Sequence, residues 1–220
     1  MTVSGRSEPL AAIVLAGGRG SRMGGRDKAG LRLAGERMVD RVVAAARRAG
    51  ADPVVVAGPA HAAPEGCLVA REDPPFSGPL AALAAALDAL PPATSAWHGG
   101  SVLLLSCDLV RPAAVVARLR EAAIQEDADA TVLRDPDGRE QWLAGCYRLR
   151  ELRAGVAALG SETADRPLRL AFGGLRVGYR SAEAALIADV DTPEDLERAR
   201  AAGAPEGEAA ESDSEGDRRQ

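Results

Sequence analysis

The chain is predicted to fold as an α/β protein whose mostly parallel sheet is covered by helices on both faces, and three observations predict it. Strand-like apolar runs alternate with helix-like amphipathic runs along most of the 220 residues. Ser101 to Ser106 is continuously apolar between its two serines, as is usual for a strand buried on both faces in the middle of a parallel sheet. A glycine-rich segment then leaves the first strand directly, in the position where open α/β sheets carry ligand loops.

Each element follows from local pattern. Leu10 to Ala16 is the first strand, and Glu36 to Ala49 is a helix that sets Met38, Val42, Val43 and Ala46 on one face. Pro53 to Ala57 is the second strand and Cys67 to Ala70 a short third one. Glu72 to Gly78 is a loop, after which Pro79 opens an Ala/Leu-rich helix ending near Leu90; proline suits a first turn because its missing N–H has no helical partner there. Pro91 to Gly100 is a surface connection into the strand Ser101 to Ser106, with Cys107 and Asp108 at its carboxyl end. A helix from about Pro112 to Ile124 leads to the strand Ala130 to Arg134. Asp135-Pro-Asp-Gly138 then turns into Gln141 to Arg148, a connection so short that it implies an antiparallel hairpin. Helices near Leu149 to Leu159 and Arg166 to Phe172 precede a strand around Leu175 to Tyr179. The apolar run Ala184 to Ala188 enters Asp189-Val-Asp191. Thr192 caps the last helix, with Pro193 at its first position and Asp195 completing a capping box. The organisation expected is an extension over residues 1–9, one domain over 10–202, and an acidic tail over 203–220 that lacks apolar periodicity and is expected to be disordered.

The formal net charge of −5, with no basic cluster outside the glycine-rich segment, argues against a nucleic-acid-binding surface and for small-molecule partners. Cys67, Cys107 and Cys146 are odd in number and form no Cys-x-x-Cys pair, which points to a reducing compartment and to burial as small hydrophobes. His61 and His98 lie in Ala/Gly/Pro-rich loops without zinc-like spacing and are expected at the surface. The apolar start is interrupted by Arg19 and Arg22 and carries no cleavage-like site, and no stretch is long enough to span a bilayer. A cytoplasmic protein without membrane contact is expected, as a monomer or a weak homo-oligomer.

Leu15-Ala-Gly-Gly-Arg-Gly-Ser-Arg-Met-Gly-Gly-Arg-Asp-Lys28 reads as a phosphate-binding loop: five of its fourteen residues are glycines, whose N–H groups can converge on an anion, and Arg22 and Lys28 add positive charge. It is not a P-loop, because Arg26 and Asp27 follow Gly20 and Gly25 where Lys-Ser/Thr is required. Nor is it the dinucleotide fingerprint, since Met23 stands where the third glycine belongs, which disfavours a nicotinamide-dependent oxidoreductase.

The run Leu15-Ala-Gly-Gly-Arg-Gly-Ser-Arg-Met-Gly24 with Asp27-Lys28 resembles the signature of the molybdenum cofactor guanylyltransferase family. Gly78-Pro-Leu80, Cys107-Asp108 and Thr192-Pro-Glu-Asp195 extend the likeness across about Leu10 to Ala202. The resemblance implies a Rossmann-like, three-layer αβα nucleotidyltransferase fold. It also implies a Mg2+-dependent enzyme that moves GMP from GTP to the phosphate of molybdopterin and releases pyrophosphate. By the same likeness Leu15, Ala16, Gly17 and Gly18 contact the nucleotide, Lys28 binds its phosphates beside Arg22, Asp73 contacts the nucleotide, and Asp108 holds the metal.

The residues taken alone leave some of these roles open. Asp108 ends a buried strand where a hard oxygen ligand could hold magnesium, but on spacing alone a lone aspartate after a strand is more often a helix cap or loop residue. Asp189 and Asp191, two apart on an extended segment, project to one side and could share a cation, or Asp191 could serve only the cap of the last helix. Trp142 and Tyr147 belong to a segment resembling the cover of the family's acceptor pocket, where a ring could stack on a pterin, but core packing is the commoner role for either one alone.

Two departures stand out. Guanylyltransferases of this family usually have Asn-x-Asn where Asp189-Val-Asp191 stands, and related cytidylyltransferases and sugar-phosphate nucleotidyltransferases can use aspartate near there as a second metal ligand. The family's nucleotide-contacting Asn after the second strand is replaced by Ala57, Gly58 and Pro59. The alternatives are cytidylyl or other nucleotidyl transfer to molybdopterin, a sugar phosphate or another phosphorylated acceptor, and a nucleotide-binding module without catalysis.

Overall fold

A computed structural model describes residues 8–17, 30–92, 97, 99–121, 124 and 127–203. Gly18, Arg22 and Lys28 of the glycine-rich segment lie outside the described residues. So do His98, most of the expected N-terminal extension and all of the expected tail after Gly203.

Along the chain run β1 (Leu10–Leu15), β2 (Arg32–Leu33), β3 (Glu36–Arg37), α1 (Met38–Arg48), β4 (Val54–Ala57), β5 (Leu68–Ala70), α2 (Pro79–Ala89), β6 (Ser101–Ser106), α3 (Pro112–Glu121), β7 (Ala130–Arg134), β8 (Glu140–Arg148), α4 (Leu149–Ala157), β9 (Val177–Ser181) and α5 (Pro193–Ala201). Seven strands form one sheet in the order β5-β4-β1-β6-β8-β7-β9. Neighbours are parallel except where β8 lies between β6 and β7, antiparallel to both. The mostly parallel sheet and the antiparallel β7–β8 hairpin are therefore both present.

Strand alternation divides the core into two layers. Ala12 and Val14 of β1, Val54 and Val56 of β4, and Leu103 and Leu105 of β6 meet Val39, Val42 and Val43 of α1 and Val115, Val116 and Leu119 of α3. Their intervening neighbours Ile13, Val55 and Leu104 pack on the opposite face against Leu80, Leu83 and Leu87 of α2 and Leu152 and Val156 of α4. A third, smaller cluster joins Leu33 and Met38 to Val110, Val190 and Leu196, and so ties α5 to the loop after β6. Tyr147 is fully buried and stacks on Phe172 with ring centroids 5.1 Å apart, while Trp142 stacks on the same ring at 4.7 Å. Cys67, Cys107 and Cys146 are free thiols, and burial pushes that of Cys146 up to about 11. Among the described residues no helix is long and apolar enough to cross a membrane.

Three local features differ from the pattern reading. Glu36 and Arg37 are strand, not helix, because Ala34 (φ 53°) and Gly35 (φ 85°) form a two-residue turn with both φ positive that folds β2 onto β3. The segment Arg166 to Phe172 shortens to a 3-10 turn, Leu168–Phe172, preceded by Pro167, which biases Arg166 away from helix. The last strand begins at Val177, two residues later than its apolar pattern suggests, because the Asp129 carboxylate holds the Arg176 N–H and guanidinium just before it. Ala184 to Ala188 forms no regular element, and Leu109 and Asp189 meet there as an isolated antiparallel bridge.

Gly155 of α4 packs directly on the carbonyl oxygen of Ala171, where a Cβ would collide with backbone. Alanine favours helix over glycine by about 1 kcal/mol. Gly155→Ala is nonetheless expected to lose about 1–3 kcal/mol of stability in urea unfolding, because overpacking against backbone outweighs propensity.

Candidate functional site

The parallel strands β4, β1 and β6 end on one edge of the sheet, and a cavity of about 470 Å³ opens there. β1 leads straight into Ala16 and Gly17. The Ala16 N–H donates to the Ala57 carbonyl at 2.8 Å, and the Cys107 N–H to that of Leu15 at 3.1 Å, so the ends of three strands are bonded side by side. Gly58 passes so close that a Cβ there would lie 3.0 Å from the Ala16 carbonyl.

Leu15 and Gly17 line this cavity, with Ala16 buried beside them. Asp108 lies two residues beyond β6 and is only 4 % exposed, and the Ser106 hydroxyl donates to its carboxylate. Asp189 and Asp191 reach the same cavity from the far end of the chain. Two backbone bonds lace their segment to the Asp108 loop, Val110 N–H to the Ala188 carbonyl at 2.9 Å and Val190 N–H to the Asp108 carbonyl at 3.1 Å. Val190 is fully buried between them, so the alternation of an extended chain directs both carboxylates to the cavity side. Just beyond, the capping box of α5 is formed as expected: the Thr192 hydroxyl accepts from the Asp195 N–H at 3.2 Å, and the Asp195 carboxylate accepts from the N–H groups of Asp191 and Thr192.

Asp73 is exposed and is not part of the described cavity wall; its neighbour Glu72 is. Glu72 Oε1 accepts from the Phe76 N–H at 3.0 Å, and Oε2 is buried without a partner. An unsatisfied buried acceptor costs about 1–3 kcal/mol, more when charged, and is met when a ligand brings a donor. Ser106, Glu72 and Phe76 are among the wall residues that pattern reading missed; only the acidic pair Glu72-Asp73 gave a signal, and which member faces inward is set by the loop. Trp142 lines a second cavity of about 230 Å³ beside the first, with Ser106, Leu143 and Asp189 in both walls. Tyr147 lies wholly in the core, its hydroxyl donating to the Trp142 carbonyl at 2.7 Å.

The described wall carries four carboxylates, Glu72, Asp108, Asp189 and Asp191, and no lysine or arginine. Such a wall calls for a cation. Among the described residues no group of three or more acidic, His or Cys side chains forms a ready metal cage. This donor set fits magnesium, which keeps waters and takes one or two carboxylates together with substrate phosphates.

The model of the MobA-like NTP transferase domain matches residues 12–172. A relative from Opitutus terrae, named "Probable molybdenum cofactor guanylyltransferase", is 37% identical over 170 residues, 76% of this chain and 76% of its own. The solved structure of molybdopterin-guanine dinucleotide biosynthesis protein A from Archaeoglobus fulgidus aligns with a TM-score of 0.62 at 18% identity, covering 87% of this chain and 97% of that one. A Mycobacterium tuberculosis protein crystallised in complex with manganese aligns with a TM-score of 0.61 at 20% identity, over 88% and 98%. At these identities the two structures speak for the fold.

The cap beside Asp191 is open to test. The Thr192 hydroxyl and two backbone N–H groups hold the Asp195 carboxyl below the usual range. A carboxyl depressed on folding stabilises above its unfolded pKa and loses that contribution as pH falls through the folded value. Thr192→Ala is expected to cost about 1 kcal/mol. Asp195→Asn should lower Tm at neutral pH, with the gap to wild type closing below about pH 4 in thermal melts.

Proposed function

Because the chain belongs to the MobA-like NTP transferase domain family, we propose that it is a guanylyltransferase moving GMP from GTP to the terminal phosphate of molybdopterin. The observation that carries this reading is the convergence of Asp108, Asp189 and Asp191 on one cavity at the carboxyl ends of β1 and β6. Likeness to the guanylyltransferase of Opitutus terrae supports the base and the acceptor.

An oxygen of the acceptor phosphate attacks the α-phosphorus of GTP, the bond to the bridging oxygen of the β-phosphate breaks, and pyrophosphate leaves. No side-chain nucleophile is needed, so the work of the chain is alignment and charge neutralisation. The end of β1, Leu15 to Gly17, contacts the nucleotide together with Gly18, and Arg22 and Lys28 bind its phosphates. Mg2+, when bound, neutralises the phosphate oxygens and favours departure of pyrophosphate. Asp108, to which the Ser106 hydroxyl donates, would hold that ion, with Asp189 and Asp191 facing the same cavity as further candidate ligands. The smaller cavity beside Trp142 takes the acceptor.

Glu72 supports guanine over cytosine. A carboxylate only accepts hydrogen bonds, and guanine offers adjacent N1–H and N2–H donors, whereas cytosine sets its one amino group next to the acceptor N3. One observation favours a second reading: aspartates at 189 and 191, both at the cavity, suit cytidylyl transfer with a second metal. The transferring unit is the single domain over residues 10–202, and three cysteines outside any disulfide suit a reducing cytoplasm.

Pyrophosphate release from GTP, Mg2+ and molybdopterin is the decisive assay. Asp108→Asn and Lys28→Ala are each expected to lower kcat roughly a hundredfold or more, the scale of removing one preorganised charge-stabilising group. Glu72→Gln should erode the preference for GTP over CTP by about tenfold or more, the worth of a hydrogen bond to a charged group. Faster release from CTP than from GTP in the wild type would replace the first reading with the second.

A further inference from the structure

Phe76 is unusual on three counts. It is one of two phenylalanines in the chain and is 48% exposed, although it forms part of the cavity wall. Its backbone is left-handed, at φ 69°, a conformation that crowds the Cβ of any residue but glycine and is an outlier for a bulky one. The loop that imposes it is closed from several sides. The buried Glu72 carboxylate accepts from the Phe76 N–H, the Ser77 hydroxyl donates to the Pro74 carbonyl at 2.6 Å, and the Asp165 N–H donates to the Ser77 carbonyl at 2.7 Å. A strained residue persists only where its surroundings over-determine it, and such residues cluster where a ligand is clamped. Here the strained loop leaves about half of a large apolar side chain exposed at the cavity wall, which stability alone does not favour.

Resting on the reading that a nucleoside triphosphate fills this cavity, we propose that Phe76 is a base-stacking platform that favours the larger π-face of a purine. Flat apolar rings stack on nucleobases because each covers a face that water hydrates poorly, and a purine offers more area than a pyrimidine. The Arg71 guanidinium, which is not part of the described wall, stands over the ring with its carbon 5.9 Å from the centroid. Glu72 then has two tasks in one side chain. One oxygen positions Phe76, and the other is left for a donor on the base edge. The purine is thus selected by its face as well as by its edge.

Calorimetric titration of the full chain in Mg2+ with GTP, CTP and inorganic tripolyphosphate tests this. Phe76→Ala is expected to weaken GTP about tenfold, within the range for losing one base–aromatic stack. CTP should lose less, and tripolyphosphate, which has no base, should bind as to the wild type. Phe76→Tyr should keep wild-type affinities. Phe76→Gly should match Phe76→Ala for GTP while keeping or raising Tm, because glycine takes positive φ without a Cβ penalty. Wild-type GTP affinity in Phe76→Ala, or an equal loss for tripolyphosphate, overturns the platform. A wild type that binds none of the three ligands overturns the triphosphate reading beneath it.

Discussion

The in-register pairing of β1 with β6, from Leu10 opposite Ser101 to Leu15 opposite Ser106, is the constraint on which the site depends. Parallel strands that pair to their last residue must end together, so whatever each chain does next begins at the same level of the sheet. One continues as Ala16 and Gly17 and the other as Cys107 and Asp108. The Cys107 N–H, bonded to the Leu15 carbonyl, carries the ladder one residue past the strands. Fully buried apolar side chains on both faces hold this pair, so its position is fixed by the bulk of the core and does not rest on any polar contact within the cavity.

The second half of the site is brought in differently. Asp189 and Asp191 stand on a segment outside the main sheet, and what registers them is a short antiparallel lacing to the Asp108 loop with Val190 as its apolar anchor. The cap of α5 lies immediately after it. A helix start, an isolated bridge and one buried valine thus set the level of two carboxylates against a third contributed some eighty positions earlier in the chain. The opposite wall, Glu72 to Pro79, is a loop whose shape is held by its own polar contacts. The cavity therefore has a rigid floor and two walls built by local means.

This division explains what could be read in the sequence. Strands such as Leu10–Leu15 and Ser101–Ser106, the α5 capping box and the turn at Asp135 to Gly138 are written in periodicity and in cap and turn chemistry, so they were legible with close bounds. The hairpin of β2 and β3 was not, since two-residue strands carry no period, and Ala34 does not advertise a positive φ. Asp108, Asp189 and Asp191 were legible as candidates because they stand at strand ends or on an extended segment. In the Glu72–Gly78 loop, inward and outward directions follow from backbone conformations that no spacing rule predicts. There the family likeness pointed to Asp73, whereas the described cavity wall carries Glu72 and Phe76.

Gly58 bears on how this cavity can change. The nucleotide-contacting asparagine that the family's usual pattern sets after the second strand is missing from Ala57-Gly58-Pro59, and a Cβ at Gly58 would lie 3.0 Å from the Ala16 carbonyl, close enough that the neighbouring backbone would have to give. An amide side chain at position 58 would therefore strain the crossing between the end of β4 and Ala16-Gly17. In the proposed reading, telling one base from another therefore falls to the opposite wall, where Glu72 and Phe76 stand.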